Sequence, residues 1–203
     1  MIALVSAGMV YGLSAGFSPG PLLMLVISQT LRHGIKEGAK VAVAPLLTDI
    51  PIIILSLLVL SRLANLKAVL GVISLSGGLF VAYLAYGSFR TTKMDLAPAE
   101  LEPQSIIKGI ATNALNPHPY LFWLTVGGPA VVRGWKEGPP GALAFLLAFF
   151  SGIVGAKMLI AWISGKSGQW LNGTVYRVVM VILGALLAVF AFFLIKEGWG
   201  LLG

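Results

Sequence analysis

Two ionisable side chains other than histidine stand deep inside apolar runs of this 203-residue chain, Asp49 and Lys157. Insertion of Asp or Lys at the centre of a membrane helix costs roughly 2.5–3.5 kcal/mol, so residues so placed are functional candidates by default. Asp49 lies about eight residues into its run, or roughly 12 Å at ~1.5 Å per residue, and Lys157 about seven residues before the end of another. Those two run ends fall on the same side, and the depths match. The pair can then form a buried ion pair or share a polar cavity, with proton or substrate binding at Asp49 as the switch. The structural alternatives are plain. Lys157 can lift its ammonium to the nearer interface on its long stem, and Asp49 can cap backbone groups freed by Pro45 and Pro51.

The groups that would work with them sit at two helix breaks. Phe17-Ser18-Pro19-Gly20-Pro21 interrupts the first apolar run, and Asn116-Pro117-His118-Pro119 interrupts the fourth. Prolines remove backbone donors, so carbonyls a turn earlier need other partners, and in hydrocarbon such groups persist only against protein or a wet cavity. Broken spans of this kind build transporter sites. Asn113 and Asn116 bring neutral amides that either repair the freed backbone or hold a substrate's amino or carboxylate group. His118 carries the side chain that titrates nearest neutrality and can relay a proton, or stand as a hydrogen-bonded structural imidazole. Half-helix starts after Pro21 and Pro119 offer free amides and a positive dipole end to a carboxylate. Tyr120, Phe122 and Trp123 either line a cavity or pack the bundle.

Composition supplies the medium that these residues must work in. Hydrophobic residues make up 58% of the chain and charged ones 10%, with mean hydropathy +0.94, against about 25% charged in soluble domains. This is a polytopic membrane protein, all-α, with the lipid bilayer as its first partner. The net charge of +7 is spread over short connections, which marks topology and excludes a nucleic-acid face. Absence of cysteine excludes thiol chemistry, disulfides and thiolate metal sites. No metal site and no cofactor are implied.

Six apolar runs are long enough to span, at roughly 2–31, 41–61, 69–89, 105–132, 141–164 and 177–195. The first has no basic n-region and reads as a retained span. Gly34-Ile35-Lys36-Glu37-Gly38 recurs as Gly134-Trp135-Lys136-Glu137-Gly138, each copy following a broken run. Two three-helix repeats, 1–90 and 105–203, are therefore expected, joined by a solvated linker at 91–104. An odd number of spans inverts the second copy, so the two breaks meet near the midplane. Basic residues divide as Arg32, Lys36, Lys40, Arg90, Lys93, Lys108, Lys166 and Arg177 on one side, with Arg62, Lys67, Arg133, Lys136 and Lys196 on the other. The richer side reads as cytoplasmic, which places both termini outside. Among the glycines, Gly71, Gly77, Gly78 and Gly87 of the third run predict close helix packing.

Taken together, Pro19-Gly20-Pro21, the Gly34 to Gly38 turn, Asp49, and Gly109 with Asn113, Leu115, Asn116 and Pro117 resemble the LysE/RhtB-type amino-acid exporters of bacteria. The resemblance spans essentially the whole chain. It implies a multi-pass secondary exporter of the cytoplasmic membrane, moving amino acids or related small metabolites with the proton gradient. Many relatives place lysine after Asn-Pro where this chain has His118, so roles resting on that lysine do not transfer. A metal-cation transporter on the same fold would want several hard oxygen ligands, yet Asp49 is the only deep carboxylate. A non-transporting scaffold is the other rival. No enzyme is indicated, since the spans hold neither paired carboxylates nor a nucleophile beside a base. A homodimer is compatible with the sequence and not fixed by it.

Overall fold

The computed structural model describes residues 1–59, 66–89, 103–168 and 173–202. These are helical almost throughout, as backbone in hydrocarbon must be unless it closes a barrel. Helix α1 (Ile2–Phe17) stops at Ser18, and α2 (Pro21–His33) starts afresh with proline in its first turn and Gly20 extended at φ −172°. Neither Pro19 nor Pro21 can donate to the turn before, so the helix cannot run through. The two halves meet at 62°.

Gly34 separates α2 from α3 (Ile35–Ala42) with φ 90° and ψ 171°, a region open essentially to glycine alone. Nothing stands within 4 Å of where its Cβ would be. Gly34→Ala is therefore expected to cost only backbone strain, about 1–3 kcal/mol, read as a lowered unfolding midpoint in detergent. Gly20→Ala, with an ordinary extended φ and equally open space, should leave that midpoint almost unchanged.

Helix α4 (Ala44–Val59) carries Asp49 and continues α3 after a one-residue turn, so that Ile35–Leu58 reads as one apolar stretch. Then come α5 (Leu66–Phe89), α6 (Ser105–Ala114) and α7 (Pro117–Phe122). A π-helical turn, Trp123–Gly127, leads into α8 (Gly128–Lys136), followed by α9 (Pro139–Gly168) and α10 (Gly173–Leu202). Among the described residues 3 helical stretches can each cross a bilayer by length and composition, and the bent α1–α2 pair meets the same criterion only when its two halves are taken together. The protein is thus an all-α, multi-helix membrane fold. The stretch from α6 to α8 fails the same criterion because its break and its π turn cut it into short pieces. Most of the linker expected at 91–104, with Arg62 and Arg90, lies outside the described residues, as does the side chain of Lys67.

Small residues bring the helices together. Gly8, Gly12 and Gly16 recur every four residues along one face of α1, and that face lies on α9. A Cβ on Gly8 would stand 2.5 Å from the Phe145 carbonyl oxygen, and one on Gly12 would run into that of Phe149. From the other side, a Cβ on Gly152 would stand 2.9 Å from the Leu13 nitrogen. Backbones this close gain dispersion contacts that lipid tails cannot match. The same device joins α5 to α10, where Gly71 faces Leu202, Gly78 faces Ile195 and Gly198 faces Leu75, while Gly77 abuts the Leu115 carbonyl beside the second break. The Gly87 side of α5 falls outside the described residues.

Contacts at the helix ends bring distant parts of the chain together. The Met1 ammonium lies 3.4 Å from Glu137 at the end of α8. Gln29, near the end of α2, accepts from the Ser105 hydroxyl at 3.1 Å where α6 begins. Outward faces are apolar, with Leu79, Leu147 and Phe192 each more than half exposed to the surroundings, as lipid requires.

Candidate functional site

Both breaks open on one cavity of about 360 Å³, a size in the range of small-molecule sites. Pro19, Gly20 and Pro21 line it from the first break, and Asn113, Asn116 and His118 from the second. Asp49 reaches it from α4 and Lys157 from α9. Pro117, the first residue of α7, is buried and does not line the cavity.

Asp49 is 3% exposed and held by side chains of other elements. Asn113 donates its Nδ2–H to Oδ1 at 2.8 Å, and the same amide lies 2.6 Å from the Thr48 hydroxyl. Trp123 donates its indole N–H to Oδ2 at 3.2 Å. The Thr48 hydroxyl, which donates back to Ala44 at 3.1 Å, also lies 3.4 Å from Oδ1. One carboxylate on α4 therefore fastens both sides of the second break, α6 through Asn113 and the π turn through Trp123. The bonds are charge-assisted and stronger than neutral ones. No part of this arrangement caps the backbone freed by Pro45 or Pro51.

Lys157 is likewise 3% exposed, so its ammonium stays inside and does not lift to an interface. It donates to the Gly16 carbonyl at 3.2 Å. That carbonyl belongs to the last turn of α1, which stops at Ser18, and Gly20, whose N–H would be its helical donor, is extended instead; a cation there also suits the negative end of the helix dipole. Among the described residues no carboxylate oxygen comes within 4.0 Å of this ammonium. Asp49 and Lys157 share the cavity without forming an ion pair.

At the second break, Asn116 caps α7 by accepting the His118 N–H at 3.1 Å, and the Tyr120 hydroxyl donates to the Ala114 carbonyl at 2.9 Å. Helix α7 starts at Pro117, so the free amides expected after Pro119 are not there. The uncapped start is that of α2, which has no side-chain cap; Leu22 and Leu23, whose amides sit in that first turn, line the cavity. Phe122 stacks on Phe149 at 5.1 Å between ring centres, and both form part of the apolar wall.

What escaped the reading from sequence is the bond that Trp123, weighed there only as cavity lining or packing, makes to Asp49, and the place of Glu197. Trp123 is fully buried and supplies a donor to Asp49; the available signal was that a buried indole N–H needs an acceptor. Glu197 lies beyond the apolar run that ends near 195, but α10 continues to Leu202 and turns Glu197 to the cavity with Phe190, Phe193 and Leu194. Among the described residues no group of three His, Cys, Asp or Glu is placed to hold a metal ion.

Trp123→Phe keeps an aromatic ring in place and removes the donor. It should lower stability by about 1–3 kcal/mol, the usual cost of stranding one buried acceptor. Thermal unfolding in detergent measures this, and a midpoint equal to that of the wild type would show that the indole bond carries no stability.

A profile of the family described as "LysE type translocator" matches residues 13–198, most of the chain. Two curated relatives are both called "Arginine exporter protein ArgO". The protein from Klebsiella pneumoniae (strain 342) is 29% identical over 144 residues, which are 64% of this chain and 64% of that one. The protein from Pectobacterium carotovorum subsp. carotovorum (strain PC1) is 27% identical over 209 aligned positions, covering 98% of this chain and 100% of the relative. No solved structure matches the chain.

Proposed function

Since the chain belongs to the LysE type translocator family, we propose that it is a secondary transporter that exports amino acids across the bacterial cytoplasmic membrane, coupled to the proton gradient. It is a translocator and not an enzyme. The observation that carries the reading is that both helix breaks and both deeply buried charges line one cavity.

In this reading the substrate carboxylate meets the Leu22 and Leu23 amides at the start of α2 together with the Lys157 ammonium. Protonation of Asp49 loosens its hold on Asn113 and Trp123, and so frees the two sides of the second break to shift. His118, on the cavity wall, is the relay. Pro19, Gly20, Pro21, Asn116 and Pro117 set the geometry of the breaks. With relatives named as arginine exporters, basic amino acids are the first substrates to try.

The architecture we propose is six spans in two inverted repeats, 1–90 and 105–203. Packing supports it. Helix α2 lies on α3 as α8 lies on α9, α1 lies on α9 as α6 lies on α3 and α4, and α5 pairs with α10. Each match relates an element of one half to its counterpart in the other, as a two-fold axis in the membrane plane would. The contact of Met1 with Glu137 agrees with the start of the first span and the end of the fourth lying on one side. The basic-residue bias places that side outside.

The test is efflux of labelled basic, neutral and acidic amino acids from preloaded proteoliposomes, with and without an imposed pH gradient. Gradient-driven movement of one class is the expected result. No movement of any class by correctly inserted protein would overturn the reading.

A further inference from the structure

The charges on the cavity wall are unequally engaged. Asp49 is held by donors from Asn113 and Trp123, and Lys157 by the Gly16 carbonyl. Glu197 is only partly buried, lines the same cavity, and has neither a hydrogen bond nor an ion pair among the described residues. Helix α10 shows why this carboxylate points inward. Its positions 191, 195, 198 and 202 pack on the glycines of α5, and the adjoining face, with Phe190, Phe193, Leu194 and Glu197, lines the cavity. Phe190 and Phe193 stand two turns and one turn before Glu197 on that face.

We propose that Glu197 is the specificity-determining residue of the cavity, receiving the cationic side chain of a basic amino acid. The assignment rests on the transport reading above and adds to it the group that selects the side chain. With Asp49 and Glu197 ionised against Lys157, the wall carries one negative charge in excess, which a ligand of net charge +1 balances and a neutral zwitterion does not. Lys157 and the start of α2 take the α-carboxylate, since they are the cation and the uncapped amides of the site. Glu197, without a partner among the described residues, is then left for the other end of the ligand. The neighbouring phenyl faces suit a guanidinium or ammonium group, which aromatic rings attract.

Arginine and citrulline make the test, because citrulline has nearly the same shape and no side-chain charge. Binding of each, labelled, is measured to purified wild type, Glu197→Gln and Glu197→Asp, and efflux of each from proteoliposomes is measured in parallel. Wild type should bind arginine at least about tenfold more tightly than citrulline, the worth of one charge-assisted hydrogen bond. Glu197→Gln should bring the ratio close to one by weakening arginine alone, and Glu197→Asp should keep part of it. An arginine-to-citrulline ratio unchanged in Glu197→Gln, or a wild type that does not distinguish the two ligands, overturns the assignment. Efflux is independent of this outcome: discrimination lost in Glu197→Gln with no efflux from wild type would keep Glu197 as the receptor and sink the transport reading instead.

Discussion

Asp49→Asn is expected to abolish gradient-driven efflux, by about 100-fold or more, in a protein that still folds. The side chain keeps its shape, and its remaining carbonyl oxygen can accept from Asn113 or from Trp123. The new amide, however, points a donor at one of two donors. Loss of the charge weakens bonds worth about 1.5–3 kcal/mol each when a charged group takes part, so a moderate fall in the unfolding midpoint should accompany the loss of transport. The diagnostic readout separates coupling from binding. Exchange of internal for external amino acid at equal pH should survive in part, because it needs no net proton movement, while efflux against a substrate gradient should vanish. Equal pH dependence in wild type and Asp49→Asn would remove Asp49 from the coupling step.

The second large effect is on the fold. Gly12→Leu should destabilise the protein by at least about 3 kcal/mol, at or beyond the upper end of overpacking costs, because the position has no room even for a methyl group. A Cβ there meets the carbonyl of Phe149 and stands 3.0 Å from its Cα, and backbone atoms, unlike a flexible side-chain end, cannot step aside. Gly12→Ala should show the same sign with a smaller loss. Gly155→Ala, on α9 with nothing within 4 Å of its Cβ, is the matched control and should be neutral. Size-exclusion profiles and thermal unfolding in one detergent measure all three, and a Gly12→Leu protein as stable as Gly155→Ala would contradict the close approach of α1 and α9.

The parts that were legible in the sequence are those where one residue type has an unavoidable local effect. Pro19 and Pro21 delete donors wherever they stand, so the break between α1 and α2 could be placed to within a residue or two. Asp49 and Lys157 drew notice because charge in hydrocarbon is expensive. Their partners were not legible, since partners are fixed by packing across the bundle. Lys157 turned out to serve the end of α1, 141 positions away in sequence, and the indole of Trp123 reached Asp49 from 74 positions away. Glu197 was passed over for a different reason: it follows the last long apolar run, and apolarity alone cannot say that α10 keeps its helix for another turn. The Gly8, Gly12, Gly16 stripe went unread, although its four-residue period is plain in the sequence; the structure shows that it is the α1 face that meets α9.

That stripe also decides what is able to move. Two helices whose backbones touch through glycines cannot slide, because a slip of one residue would drive Leu13 or Met9 into the space that Gly12 or Gly8 leaves. Helices α1 and α9 are therefore a single strut, with Lys157 bolted to its inner end through Gly16. Any change that closes the cavity at one end and opens it at the other has to bend elsewhere. In the transport reading proposed above, the residues between α1 and α2, at the strut's tip, are the place for that bend, since they are not helical. The rigid strut and the piece left free to move in that reading are consecutive in the chain, divided by three residues that are not helical.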